Sequence, residues 1–367
     1  MCHPRIGISG LKKGLQMTAG SVKIWIKQAA DLFDRYIGQY GEHAVGSRGE
    51  VYIQPYVDLS MHLIQMQLEG WTDVDFDYLA AVSGASALYG YQPGDFMPKY
   101  AHLRLAPEGR IADATGFGYK WEAFKDAEEA WKLLKQTVDG GHIAKGWDWE
   151  NILFAGYKDA PTIEARKVFA MADGPGTYVK WLDWDEFGEW VQRILDWHSG
   201  VFGLFTERVD AHPRKKIALR VLRDLVAWSE KPPEDIVNWH SDAKFGFEAI
   251  EAQAKEVEDT EKFPDFISCH GLNPQWAIRR STALYLEDLV KSAMFPDEVN
   301  SNLGEAAQQY HASFTTWKAF YTMVGHHVPD EVRNMPDRRH AAAGLVRCWG
   351  AHERTAVDAL EKALQLL

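Results

Sequence analysis

Cysteine is scarce in this chain. Cys2, Cys269 and Cys348 are the three in 367 residues. So sparse and odd a count excludes a disulfide-stapled scaffold and fits a reducing compartment. Long apolar runs are missing too. No stretch approaches the ~18 apolar residues of a membrane span. The opening Met1-Cys2-His3-Pro4-Arg5 lacks a signal-peptide core, so the expected location is the cytoplasm, with no membrane partner. Basic charge is in deficit, with 40 Lys and Arg against 52 Asp and Glu, a net charge of −12. Duplex binding draws its non-specific affinity from phosphate neutralisation, so nucleic acid is not an expected partner. The longest basic cluster, Arg214-Lys215-Lys216, reads as a solvated face. Metal and nucleotide motifs are also lacking. His326-His327, Glu331 and His340 form no His-Glu-x-x-His, and Gly116-Phe117-Gly118 has no Lys-Ser/Thr after it, so neither metal nor cofactor is expected.

What the chain does have is ring area: 15 Trp, 14 Tyr and 17 Phe within a 46% hydrophobic composition. That is enough for a packed core, and rings serve either as core or as the walls of a pocket. The length suggests two domains.

Periodicity gives the elements. Val22, Trp25, Ala29, Leu32 and Tyr36 predict a helix between Gly20 and Tyr40. A short extended run at Val51-Tyr52-Ile53-Gln54-Pro55 precedes a helix with Asp58 at its cap, Leu59, Leu63 and Met66 on its apolar face, and Gly70 as terminator. A helix and turn follow between Asp75 and Tyr91, holding the small-residue run Ser83-Gly84-Ala85-Ser86-Ala87. The pattern from Ala101 to Gly118 is short and broken. A helix is expected over Ala127 to Val138, strands over Ile152 to Tyr157 and Lys167 to Ala172, and a helix over Trp184 to His198. After Pro213 helical periodicity dominates, with Ile217–Glu230, Ala243–Glu258, Trp276–Lys291, Leu303–Met323 and His340–Leu367 punctuated by prolines. This predicts a bundle of about five helices. The fold class is α+β followed by all-α, with domains at 1–205 and 206–367.

The order of these pieces resembles the butirosin-biosynthesis-protein-H type. The resemblance rests on Asp58-Leu59-Ser60-Met61-His62 followed by Gly70 and Ser83-Gly84, and on Ala130-Trp131-Lys132-Leu133-Leu134 leading to Asp139-Gly140-Gly141. It continues in the strand ends at Gly156-Tyr157-Lys158-Asp159 and Asp173, and in Gly246-Phe247-Glu248-Ala249-Ile250, Leu284-Tyr285-Leu286-Glu287-Asp288 and the last helix around His352-Glu353. It covers most of the chain from about residue 50. The resemblance implies a papain-like (bacteriocin-processing-peptidase-like) N-terminal domain before the helical bundle. It also implies acyl transfer from a carrier-bound thioester to an amine, or a related step in specialised metabolism, with an acyl-carrier protein or second subunit as partner. Such enzymes need a Cys at the start of the first core helix. Here that position falls at or near Asp58. The His position falls near Glu150-Asn151, and the third position matches Asp173.

The candidate residues follow. Asp58, His62 and Gln65 share a helical stripe on which a carboxylate could orient an imidazole base; the bland alternative is a cap and a packed histidine. Ser60 is a candidate nucleophile or an ordinary first-turn serine. Asp173 borders a cleft or makes an Asp-Gly turn. Glu150, Asn151, Ser83 and Tyr91 are the candidate substrate contacts. Cys269-His270 reads as a loop between Pro264 and Pro274. Cys348 and His352, on a stripe with Leu345, Trp349, Ala356 and Leu360, read as core.

Three functions compete. One is an acyltransferase-like enzyme or cyclase of natural-product metabolism, with a carboxylate base in place of the thiol, acting on an amine or acyl substrate. Another is a catalytically inactive relative that binds a small ligand or a partner protein in a ring-lined pocket. The third is a scaffold whose helical half forms a homodimer face, with Trp181, Trp184, Trp190 and Trp197 available to it.

Overall fold

The computed structural model describes residues 23–36, 44–45, 51–52, 57–91, 107–146, 151–173, 178–197, 200–234, 243–259, 269–324 and 334–367. They group into two compact units. One joins the described residues up to Leu32 to Trp121–Leu204, and the other joins Phe33–Lys120 to Phe205–Leu367. One cut falls between Leu204 and Phe205. Residues 33–120, expected in the N-terminal domain, group with the C-terminal half. The cuts fall inside helix α1 (Lys23–Tyr36) and inside strands β4 (Phe117–Ala123) and β9 (Val201–Arg208).

The first unit is built on an antiparallel sheet. Its six strands run β4-β9-β5-β6-β7-β8, with β5 Ala144–Gly146, β6 Asn151–Lys158, β7 Lys167–Asp173 and β8 Tyr178–Asp183. Two of these strands, β6 and β7, were expected. Every residue of β6 from Asn151 to Tyr157 is buried, so its apolar run is continuous. β4 and β9 each mix buried rings with exposed charge, as in Lys120 or Glu207 and Arg208, which hides their period from the sequence. The ladder pairs Asn151 with Asp173 and Leu153 with Met171, then shifts between Phe154 and Gly156, a bulge.

Helices α5 (Ala127–Asp139) and α6 (Trp184–Trp197) start on acidic caps. Asp126 accepts from the Glu129 N–H at 2.8 Å. Asp183 accepts from the Glu186 N–H at 3.0 Å, and Glu186 accepts from the Asp183 N–H at 3.1 Å, a reciprocal pair that satisfies two otherwise unpartnered donors. Between sheet and helices lies an aromatic core. Trp190 meets Phe154 edge-on at 4.8 Å and stacks on Phe202 at 5.8 Å, and Phe202 also touches Phe124 at 4.8 Å. Each such pair adds about 1 kcal/mol beyond its burial.

The second unit is mainly helical. A hairpin pairs β1 (Ala44–Val45) with β2 (Val51–Tyr52). Helix α2 spans Val57–Leu68. It ends as the sequence predicts: Gly70 sits at φ +98°, its N–H donates to Gln67 O at 3.2 Å, and the Trp71 N–H donates to Met66 O at 3.0 Å. That six-to-one bond with a left-handed glycine closes the helix and turns the chain. Asp75 then caps α3 (Phe76–Val82), accepting from the Tyr78 N–H at 2.8 Å. Helix α4 (Pro107–Thr115) lies in the stretch where no element was expected; its Gly109 and polar residues dilute the apolar period. Among the described residues, five further helices follow: α7 (Arg214–Ala227), α8 (Gly246–Glu258), α9 (Cys269–Lys291), α10 (Asp297–Val324) and α11 (Pro336–Gln365). They fulfil the expectation of a C-terminal bundle. Arg220 on α7 ties three pieces together, donating to Asp113 at 2.7 Å, Arg110 O at 2.9 Å and Val82 O at 3.3 Å. A two-stranded pairing of β3 (Gly90–Tyr91) with β10 (Lys244–Phe245) leads into α8. Gly246 there has φ +54°, and a Cβ would lie 1.8 Å from Ser229 O, so only glycine fits.

The bundle interior is mainly apolar, with a few buried polar groups. Leu222, Leu225, Leu286, Leu289, Leu303 and Leu360 fill one cluster, and Ile250, Trp317, Phe320, Val346 and Trp349 fill another. Among them the buried Arg279 of α9 donates through Nε to Glu353 Oε1 of α11, and through Nη1 to Ser86 O at 3.1 Å. The same Glu353 oxygen accepts from Trp349 Nε1 at 2.6 Å and from the Ser313 hydroxyl of α10 at 3.2 Å. Burial opposes the charge of Arg279, but the Glu353 carboxylate outweighs it and holds the guanidinium above its usual value. Removing one partner of such a pair strands the other. Glu353→Ala is expected to cost about 3–5 kcal/mol, read as a lower urea midpoint at unchanged slope. The double variant Arg279→Met/Glu353→Leu is expected to recover most of it. A single variant within about 0.5 kcal/mol of the parent would show that the pair holds nothing.

Candidate functional site

The residues proposed from sequence do not form one described cluster. Asp58 lies one residue inside α2, not at its cap, and its side chain lies outside the described residues, as do Glu150 and the side chains of Asp173, Cys269 and His270. Ser60, His62 and Gln65 are buried. The His62 ring packs against Phe117 at 5.3 Å and Tyr119 at 4.9 Å, so it has an aromatic environment and no solvent face. Ser83 is the C-cap of α3; its hydroxyl donates to Ala80 O at 3.0 Å and accepts from the Ala85 N–H at 3.3 Å. Tyr91 is buried and donates its hydroxyl to Glu256. Asn151, buried, is brought opposite Asp173 in the β6–β7 ladder. α2 belongs to the second unit and β6 and β7 to the first.

A cavity of about 410 Å³ within the second unit gathers a different set. Trp71, Tyr78 and Tyr285 give it aromatic walls, Val74, Ala114 and Leu289 add apolar surface, and Asp73, Asp75, Asp288, Thr115 and Arg214 line it with polar groups. The local sequence explains the placement. The turn at Gly70 throws Trp71 out of α2, and the short link to α3 brings Asp73, Val74 and the cap Asp75 to the lining. Tyr78 follows one turn later. Tyr285 and Asp288 are three apart on α9 and so share a face. Arg214 opens α7.

The walls are held from behind. Trp71 donates Nε1 to Thr115 O at 2.8 Å, with the Arg208 guanidinium 3.9 Å over its ring and Phe117 edge-on at 5.0 Å. Phe117 is also the ring against which His62 packs, so the histidine stands behind the wall rather than in the cavity. Tyr78 donates its hydroxyl to Ala114 O at 3.2 Å and lies 6.1 Å from the Tyr285 ring. Thr115 spends its hydroxyl on Ile111 O at 2.7 Å and accepts from the Phe117 N–H at 3.2 Å.

The polar groups divide into engaged and open. Asp75 is the α3 cap, and Asp288 lies 3.7 Å from Lys291 Nζ. Among the described residues, Asp73 and Arg214 make neither hydrogen bond nor ion pair, and both are solvent-exposed at the cavity. Burial raises the Tyr78 phenol, with Arg214 and Arg220 pulling it down and Asp73 pushing it up. Burial likewise raises Tyr285, reinforced by Tyr78 and opposed by the same two arginines. Both phenols are therefore protonated hydrogen-bonding groups at neutral pH, and neither serves as a base. Among the described residues, the cavity lining contains no histidine or cysteine. No cluster of His, Cys, Asp and Glu suited to a metal ion occurs among the described residues. Among them, no helix is long and apolar enough to cross a membrane.

Sequence reasoning missed this set. The signal was available in Gly70-Trp71-Thr72-Asp73-Val74-Asp75, where a helix stop is followed by a ring and two alternating carboxylates. Arg214 was read as part of a solvated run, and Tyr285 and Asp288 only as part of a resemblance. No protein-family model matches this sequence, and comparison with curated proteins returns no match.

The raised phenols carry a pH consequence. The unfolded chain ionises tyrosine near ~10, while the folded chain holds Tyr285 protonated above that. The stability this contributes is complete below about pH 10 and is lost as pH climbs toward the folded value. Tyr285→Phe is expected to flatten the alkaline decline of urea stability between about pH 9.5 and 11, and an unaltered slope would contradict the assignment.

Proposed function

We propose that this chain binds a small amine-bearing molecule with a flat apolar body in the cavity walled by Trp71, Tyr78 and Tyr285. The observation that carries the reading is the open carboxylate of Asp73 beside three aromatic rings, with Asp75 and Asp288 adding to the same acidic lining. A ring-lined site with a few convergent polar groups and this volume suits a metabolite-sized ligand. Carboxylates and ring faces both attract an ammonium group. Arg214, the single cation among the described residues of the lining, would receive an acidic substituent at the other end of the ligand.

Binding rather than acid–base turnover is the reading we favour. A catalytic centre needs a nucleophile or substrate atom within reach of a base. The described lining offers no such pair, and His62 is buried behind the wall. The N-terminal half is further proposed to derive from the papain-like, bacteriocin-processing-peptidase-like scaffold of the butirosin-biosynthesis-protein-H type. An antiparallel sheet containing β6 and β7 ahead of a helical C-terminal region supports that origin. An ancestral acyl-transfer site that lost its thiol while retaining affinity for an amine would be consistent with it.

Four probes of one ring body test the claim by titration calorimetry: tryptamine, tryptophan, indole and indoleacetate. Tryptamine and tryptophan are expected to bind more tightly than indole, and indoleacetate to bind least. Asp73→Asn is expected to weaken tryptamine about tenfold, or ~1.4 kcal/mol, while leaving indole unchanged. Equal affinity for all four, or binding by none, would dismiss an amine site here.

A further inference from the structure

We propose that Cys348 is an activated, nucleophilic thiol on the outer face of α11, with His352 as its base and Gln309 as the group that positions the base. The sequence suggested a buried pair; the structure places Cys348 on the surface and His352 half-buried. Helical spacing of four puts both on one face. Cys348 Sγ lies 3.8 Å from His352 Nε2, and His352 Nδ1 lies 2.9 Å from Gln309 Oε1 on the neighbouring α10. An amide oxygen only accepts, so Nδ1 carries the proton and donates it to Gln309. That fixes the tautomer in which Nε2 presents its lone pair to the thiol. A thiol, a base within reach and a third group orienting the base make the arrangement that generates a thiolate.

The geometry is built in, because the next rung locks it. Gln309 and Ser313 are one turn apart on α10, and they meet the adjacent residues His352 and Glu353 on α11. Glu353 is fixed in turn by Arg279 and by Trp349, the residue after Cys348. Rotation of α11 about its axis would break the buried rung first, so the exposed rung is held in register. Solvent access to sulfur is what separates this cysteine from an inert core thiol.

The chemistry it supports is thiol–disulfide exchange with a low-molecular-weight disulfide. The Cys348 S–H proton passes to His352 Nε2, and the Cys348 thiolate attacks one sulfur of the disulfide. The old S–S bond breaks as the new one forms, and the departing thiolate takes the proton back from His352 and leaves as a thiol. Cys348 is thereby oxidised to a mixed disulfide and half of the reagent is reduced. This site is independent of the amine cavity.

The test uses the full chain and peptide mapping by mass spectrometry, which separates Cys348 from Cys2 and Cys269. The rate of Cys348 alkylation by iodoacetamide at neutral pH is compared with that of N-acetylcysteine in the same tube. Capture of glutathione disulfide at Cys348 is measured in parallel. Cys348 is expected to alkylate about tenfold faster than the free thiol and to carry one glutathionyl group. His352→Gln is expected to bring alkylation down to the free-thiol rate, and Gln309→Met to lower it part of the way, with circular dichroism confirming unchanged helicity. Cys348 alkylating no faster than N-acetylcysteine in the parent chain would overturn the proposal, whatever the variants do. A parent advantage that survives His352→Gln in a folded variant would overturn it equally.

Discussion

One carboxylate oxygen organises the helical unit. Glu353 Oε1 accepts from a guanidinium on α9, a hydroxyl on α10 and an indole on its own helix, so three helices are referenced to a single atom. An apolar core favours contact but tolerates sliding and rotation by a residue or more. A buried charge does not, because each displacement leaves a desolvated group without its partner, at a cost of several kcal/mol. Arg279 extends the reference beyond the bundle by donating to Ser86 O, in the turn after α3. Ser281, two residues on, donates to the buried Asp77 at 2.7 Å and fixes the same helix pair a second time.

The cavity walled by Trp71, Tyr78 and Tyr285 is a consequence of that anchoring. Its walls come from the α2–α3 turn, α3, the end of α4, the start of α7 and α9, pieces far apart in sequence. α3 and α9 are held by the buried bonds just named, and α7 is fixed to α3 and α4 through Arg220. Tyr78 and Tyr285 therefore meet across a boundary whose spacing is set by interactions deeper in the molecule. Rigid walls of this kind lower the entropy lost on binding a small ligand. The same network keeps Cys348 and His352 in register on the opposite use of α11, facing solvent.

The local devices were legible in the sequence because they are local. Gly70 as a stop, the five helices after Pro213, and strands β6 and β7 all follow from neighbours within a few residues. Strands β4, β8 and β9 and helix α4 were not legible, because charged and polar residues interrupt their apolar patterns and only their partners make them regular. The candidate residues divide in the same way. His62 looked like a base because its spacing from Asp58 is right; the rings that enclose it, Phe117 and Tyr119, are more than fifty residues away. Cys348 and His352 looked buried because Trp349 and Leu360 share their stretch of helix, yet a turn of one residue separates the buried face from the exposed one.

Composition, periodicity and turn chemistry alone determined a mixed α and β chain ending in a helical bundle, with ring area to spare and no disulfide scaffold. Those properties depend on each residue's own preferences and on its near neighbours. Tertiary structure decided which rings became cavity walls, that Asp73 was left without a hydrogen-bond or ion-pair partner among the described residues, and that Cys348 reached solvent. Those outcomes depend on pairings between residues tens to hundreds of positions apart, where the desolvation cost of one misplaced charge exceeds any local preference.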